Sequence, residues 1–290
     1  MITFGEGWMK MKISVLALLA LSLVLFYAHI LRAAEKSPQK PVISVPKAEK
    51  QVKIDGDLDE YRKYAVRMDD KSFERLQYFE YGGKDDISAD IYLLWDDENL
   101  YVAAKVTDDV PFDNGKEGPD IWDGDALEVL LGMDGTADPG RIYFGKGDYQ
   151  IGLSPGNNKN IKPSEWVWRR DDYKDGIEVA AKLWEKGYAI EAKIPFKVLG
   201  GFKPEVGKKF DFDIAVDDSD KAKVPEGGKR DAQLAWTGTK EFYSDPSQWG
   251  IMILAAPQAA FALSVSGVIA IIAGIAVIVI FITFAVHRPK

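Results

Sequence analysis

The 290-residue chain has no cysteine and only two histidines, His29 and His287. Without cysteine there can be no disulfide framework, zinc–thiolate centre or covalently attached c-type haem. The scarcity of histidine excludes more than the count suggests. Both histidines flank long apolar runs at the two ends of the sequence, so the roughly 220 residues between those runs hold neither His nor Cys. Ser-His-Asp and Cys-His catalysis and histidine-ligated metals are excluded there. Positive charge is also in deficit. Residues 35–256 carry 44 acidic and 32 basic side chains, an excess of twelve negative charges. That balance argues against nucleic acid and anionic lipid as partners and suits neutral ligands or cations. Carboxylate-pair chemistry stays open. No spacing nominates such a pair, however, and the length leaves no room for a separate catalytic domain, so a non-enzyme is expected.

The two ends read as membrane-directed segments. Ala259 to Val286 is 28 residues without a charge, followed by His287-Arg288-Pro289-Lys290. As a helix it is about 42 Å long, enough to cross a bilayer core with some tilt. The basic tail suits the cytoplasmic side, which would place the preceding domain outside. Lys10 and Lys12 precede an apolar run from Ile13 to Leu31, the layout of a secretory signal. The expected division is a signal peptide or signal anchor at 1–34, a linker at 35–41, one domain at 42–256, and a transmembrane helix with a short basic tail at 257–290. This makes a cell-membrane protein with an extracellular domain, single-pass if the signal is cleaved and two-pass if it is retained.

Between the ends, short apolar runs alternate with turn signals. Strands are expected at Val42–Val45, Gln51–Ile54, Ile87–Trp95, Leu100–Thr107, Ala126–Met133, Tyr149–Leu153, Trp166–Arg169, Ile177–Trp184, Tyr188–Ile194, Lys209–Val216, Ala232–Trp236 and Trp249–Leu254. A short helix is expected over Asp57–Tyr64. Lys209–Val216 shows the period of two most cleanly, with Phe210, Phe212 and Ile214 opposite Asp211 and Asp213. Many short strands and no long amphipathic helix between the apolar ends predict an all-β sandwich.

Six segments in order carry a resemblance. They are Ile54-Asp55-Gly56-Asp57-Leu58-Asp59-Glu60-Tyr61; Leu94 to Val102 with Val106-Thr107-Asp108-Asp109; Trp122-Asp123-Gly124-Asp125-Ala126-Leu127-Glu128; Gly187 to Pro195; Asp213 to Asp218; and Asp245 to Gly250. Together they resemble the family 9 carbohydrate-binding modules, and the fold is similar to DOMON-like jelly-roll sandwiches. The resemblance implies two rings that sandwich a terminal sugar, matching Trp122 and Tyr243. It implies a carboxylate on the hydroxyl rim at Glu128, which by alternation points away from Leu127 and Val129, toward solvent on the bare pattern. Gln150 stands where the family has Arg, Gly152 where it has Asn, and Lys240 near another Asn. The resemblance also implies structural calcium held by Asp57 and Asp108, and hard oxygen ligands suit that ion. Asp217, Asp218 and Asp220 form a further acidic cluster.

The expected function is non-catalytic binding of a glycan or other neutral polar ligand, since flat rings cover a sugar's C–H face while polar groups bond its rim. Two other functions stay compatible with the residues. One is haem b electron transfer of the dehydrogenase haem-subunit type, with Met133 as a ligand. The other is a structural subunit of a membrane complex, docked through the small-residue stripe Ser266, Ala270 and Gly274.

Overall fold

The computed structural model describes residues 40–257, apart from 62, 64, 70–74, 78–80, 135–137, 139, 174, 221–229 and 239–240. The expected signal segment, the C-terminal span, the Ser266/Ala270/Gly274 stripe and Lys240 lie outside the described residues. Among the described residues no helix is long and apolar enough to cross a membrane.

Two sheets face each other. The larger runs in the order β1 (Val42–Pro46), β13 (Gly250–Ala255), β11 (Lys209–Asp218), β6 (Ala126–Gly132), β7 (Asp148–Ser154) and β8 (Ser164–Trp168). β13 pairs with the first half of β11, and β12 (Ala232–Ala235) pairs with the second half and with β3 (Arg75–Gln77). The smaller sheet runs β2 (Val66–Met68), β4 (Ile87–Trp95), β5 (Asn99–Asp108), β10 (Gly187–Pro195) and β9 (Glu178–Trp184). All pairings are antiparallel except β1 with β13.

Alternation fills the space between the sheets. Leu127, Val129 and Leu131 of β6, Ile151 and Leu153 of β7, and Phe210, Phe212, Ile214 and Val216 of β11 meet Ile91 of β4, Val102, Ala104 and Val106 of β5, and Ile190 and Ile194 of β10. Each fully buried side chain of this size contributes roughly 1.5–3 kcal/mol relative to exposure. Trp95 closes one end, its indole N–H reaching the Val45 and Ala255 carbonyls at 3.1 and 3.0 Å.

Neither outer face is simply solvated. Residues 48–61 lie over the small sheet, packing Val52, Ile54, Leu58 and Tyr61 on Tyr92, Leu94, Tyr101 and Ala103. Here the structure corrects two expectations, since Gln51–Ile54 is not a strand and the described residues of Asp57–Tyr64 are not helical. The segment has no free strand edge to join, because it crosses the face of the sheet. Its backbone is held instead by the Glu191 carboxylate, which accepts the Asp55 and Gly56 N–H groups at 2.6 and 2.7 Å. Gly56 has φ +84°, and a Cβ there would lie 2.9 Å from Lys182 Cβ, so the close crossing requires glycine. On the large sheet, Leu130, Ala215 and Ala235 are covered by Phe242, Trp249 and Phe144. Beside this cluster, the outer face over β6, β7, β11 and β12 carries Glu128, Gln150, Asp217 and Gln233, and these build the site.

Candidate functional site

β6, β7 and β8 lie side by side, and their outward positions form rows. Glu128 stands opposite Gly152, and Gly152 opposite Trp166; Leu130 stands opposite Gln150, and Gln150 opposite Trp168. From β11 and β12 the same face receives Asp217 and Gln233, while their neighbours Val216 and Leu234 enter the core. Two loops raise rings at its margin. Trp122 sits on the 3-10 turn Gly118–Asp123 and is 38% exposed; Tyr243 follows buried Phe242 and is 43% exposed.

A continuous polar row runs from the Trp122 ring to the Tyr243 backbone. The Arg230 guanidinium lies 5.3 Å from the centre of the Trp122 ring, a cation–π contact. Its Nη1 donates to Glu128 Oε1 at 3.0 Å and to Asp217 Oδ1 at 2.7 Å. Gln233 Nε2 donates to the same two oxygens, at 3.1 and 2.5 Å. Glu128 Oε2 accepts from Gln150 Nε2 at 2.7 Å. Gln150 Oε1 in turn accepts from Arg169 Nη1 at 2.5 Å, and Arg169 Nη1 also reaches the Tyr243 carbonyl at 3.3 Å. Trp122, Glu128, Gln150 and Tyr243 therefore belong to one constellation.

Glu128 does not face solvent as its alternation suggested. It is 3% exposed, because Arg230, Gln233 and Gln150 cover the face onto which it turns. Burial pushes the Asp217 carboxyl well above its ordinary range, opposed by Arg230 and reinforced by Glu128. Both carboxylates are bound to one guanidinium, and they lie against each other on the same face.

Several members of the row are invisible to sequence reasoning. Arg230 and Gln233 lie 102 and 105 positions from Glu128. Arg169 ends β8 with φ +60°, and its guanidinium stacks 4.3 Å from the centre of the Phe144 ring. Gly152 makes room for Trp168, since a Cβ there would lie 2.4 Å from the Trp168 ring.

The two acids expected to share calcium do not meet. Asp57 sits over the outer face of the small sheet, paired with Lys182 at 2.7 Å. Asp108 continues the inward positions Ala104 and Val106 on the opposite face. It lies with Asp125 and Asp218, one oxygen from each within 4.8 Å of the others. The cluster Asp217, Asp218 and Asp220 is split by the same alternation: Asp217 turns to Arg230, Asp218 to Asp108, and Asp220 joins Asp86 and Asp109. Burial pushes Asp108 up to about 7, Asp218 up to about 9 and Asp125 well above its ordinary value. The Tyr188 hydroxyl, whose ionisation is opposed by burial and then by these carboxylates, has no hydrogen-bond partner among the described residues. This buried, all-oxygen group fits a hard cation. Met133 is partly buried against the core.

The sequence profile of the carbohydrate family 9 binding domain-like group matches residues 54–256. The chain belongs to this family. Among curated relatives, endo-1,4-beta-xylanase A of Thermotoga neapolitana is 27% identical over 198 residues, covering 68% of this chain and 16% of that enzyme. Exoglucanase XynX of Acetivibrio thermocellus is 26% identical over 173 residues, 59% of this chain and 14% of that protein. The chain thus matches about one sixth of these relatives' length, at most. Among solved structures, a family 9 carbohydrate-binding module from Caldicellulosiruptor kristjanssonii, in complex with cellotriose, shares the fold. Its TM-score is 0.55 at 21% identity, covering 78% of this chain and 99% of the module. A family 9 module from the same organism, in complex with glucose, has a TM-score of 0.52 at 22% identity, covering 77% of this chain and 100% of that module. Family 9 modules bind carbohydrate without catalysing its breakdown, and the match to the xylanases is confined to this binding module.

Proposed function

We propose that this family 9 domain holds a sugar between the Trp122 and Tyr243 rings, with the polar row Arg230–Glu128–Gln150–Arg169 bonding its hydroxyl rim. The observation that carries the reading is that row, a chain of hydrogen bonds running from beneath one half-exposed ring to the backbone of the other. Glu128, covered by Arg230, Gln233 and Gln150, holds these side chains in place, and the guanidinium and amide groups of the row carry the donors and acceptors that a ring of hydroxyls requires. The cellotriose and glucose complexes of the related modules support β-linked glucose units as first candidates. The test is a glycan array carrying cello- and xylo-oligosaccharides, probed with wild type and Trp122→Ala. Binding that the replacement reduces at least tenfold supports the site; binding it leaves intact removes the assignment, and silence on every glycan removes the function.

In this reading the apolar segment 259–286 displays the domain on the outer surface of a membrane, a layout supported by its length and its basic tail. A calcium ion at Asp108, Asp125 and Asp218 would brace the edge of the sandwich by neutralising carboxylates that burial otherwise penalises. Calcium at a hundredfold excess over its dissociation constant would add about 2.7 kcal/mol of stability. Thermal unfolding in calcium and in EDTA checks this, and identical midpoints would refute it.

A further inference from the structure

We infer that Arg169 determines what kind of sugar the site takes, and that this sugar carries a carboxylate, as a hexuronic acid does. The inference rests on the glycan reading above and narrows it.

Among the described residues, the arginines around the site are paired with carboxylates except Arg169. Arg230 is bound by Glu128 and Asp217. Arg170, the next residue along, pairs with Asp172, and Arg141 with Asp148 and Asp211. Arg169 touches two neutral oxygens, those of the Gln150 side chain and the Tyr243 backbone, and both through Nη1. Among the described residues no carboxylate pairs with it. A guanidinium carries five N–H donors in a planar fork. Nε and Nη2 keep theirs, and that edge matches the two oxygens of one carboxylate. A neutral hydroxyl would take one donor and leave the charge unanswered.

The guanidinium is also held in place before any ligand arrives. Phe144 lies against its face, Gln150 and the Tyr243 carbonyl fix Nη1, and Gln150 is itself held by Glu128. The backbone at Arg169 lies in the left-handed region, an unfavourable place for a residue with a Cβ, and such strain tends to persist where it aims a functional group. An immobilised fork loses little freedom on binding. The domain's excess of negative charge opposes an anion at long range. At physiological salt, however, charges beyond about 8 Å are screened, so the local guanidinium decides.

Calorimetric titration of the full chain in mild detergent with glucuronate, its neutral isostere glucuronamide and glucose tests the inference, in 20 and 300 mM NaCl. Glucuronate is expected to bind about fivefold more tightly than glucuronamide at low salt, with the ratio shrinking at high salt. Arg169→Gln should bring the ratio to about one, and Arg169→Lys should restore part of it. A wild-type ratio near one, with binding still weakened by Trp122→Ala, would overturn the role of Arg169 and leave the glycan reading standing. Failure of all three sugars and of every glycan on the array would remove the reading itself, and this inference with it. If Arg169→Gln fails to fold, the wild-type ratio and its salt dependence decide.

Discussion

Replacing Arg230 with alanine tests the centre of the proposed site. Arg230 is 8% exposed, and its two carboxylate partners, Glu128 and Asp217, are 3% and 1% exposed. Removing the guanidinium leaves both acids in a space that water barely reaches, with Gln233 and Gln150 as their remaining donors. Breaking a buried ion pair from one side costs about 3–5 kcal/mol, because the orphaned charge keeps its desolvation penalty. A domain of this kind has about 5–15 kcal/mol of stability in all. With a urea slope near 2 kcal/mol/M, the unfolding midpoint should fall by about 2 M. Tryptophan fluorescence reports the transition, and near-native emission should change too, since Arg230 sits over the Trp122 ring. Replacing the trio together, with Arg230→Met, Glu128→Gln and Asp217→Asn, should recover most of the loss, since no charge is then stranded. A midpoint shift below about 0.3 M for Arg230→Ala would refute the reasoning, because it would mean that water reaches these carboxylates freely.

Two further outcomes follow from neighbouring parts of the fold. Gly152→Ala places a methyl group 2.4 Å from the Trp168 ring, so that ring must leave the Gln150–Glu128 row. The expected cost is about 1–3 kcal/mol in thermal unfolding, with glycan binding lost in parallel; a neutral substitution would show that Trp168 is not seated on the strand. Burial, the largest influence, pushes the Glu191 carboxyl up from 4.5 to about 7 in the folded chain, against the pull of the Asp55 and Gly56 N–H groups. The folded state therefore binds more protons than the unfolded one. Its contribution to stability is complete below pH 4.5 and is lost as pH rises to about 7. In urea titrations from pH 4 to 8, Glu191→Gln should flatten that part of the profile and exceed wild type at the alkaline end; parallel profiles would show that Glu191 titrates normally.

The strands were legible because each carries its pattern locally. Ile87–Trp95 and Asn99–Asp108 alternate around a turn in which Asp96 accepts the Glu98 and Asn99 N–H groups at 2.8 and 2.7 Å. β2 and β3 escaped notice because three residues are too few to show a period of two. Gln51–Ile54 misled because its alternating Val52 and Ile54, which pack onto a sheet face, have the pattern of a strand without a ladder partner. For Glu128, alternation indicated the correct face, but what covers that face comes from 102 residues away.

By itself the sequence determined that residues 35–256 hold no His or Cys and that they form a sandwich, because composition and nearest-neighbour periodicity are local properties; the candidate rings came from the resemblance to the family 9 modules. Tertiary structure alone decided which charges meet. It separated Asp217 from Asp218 onto opposite faces, moved Asp108 from Asp57 to Asp125, and set Arg169 beside Gln150 with no acid among the described residues paired with it. Electrostatic partnership depends on distance through space and on exclusion of water, and spacing along the chain records neither.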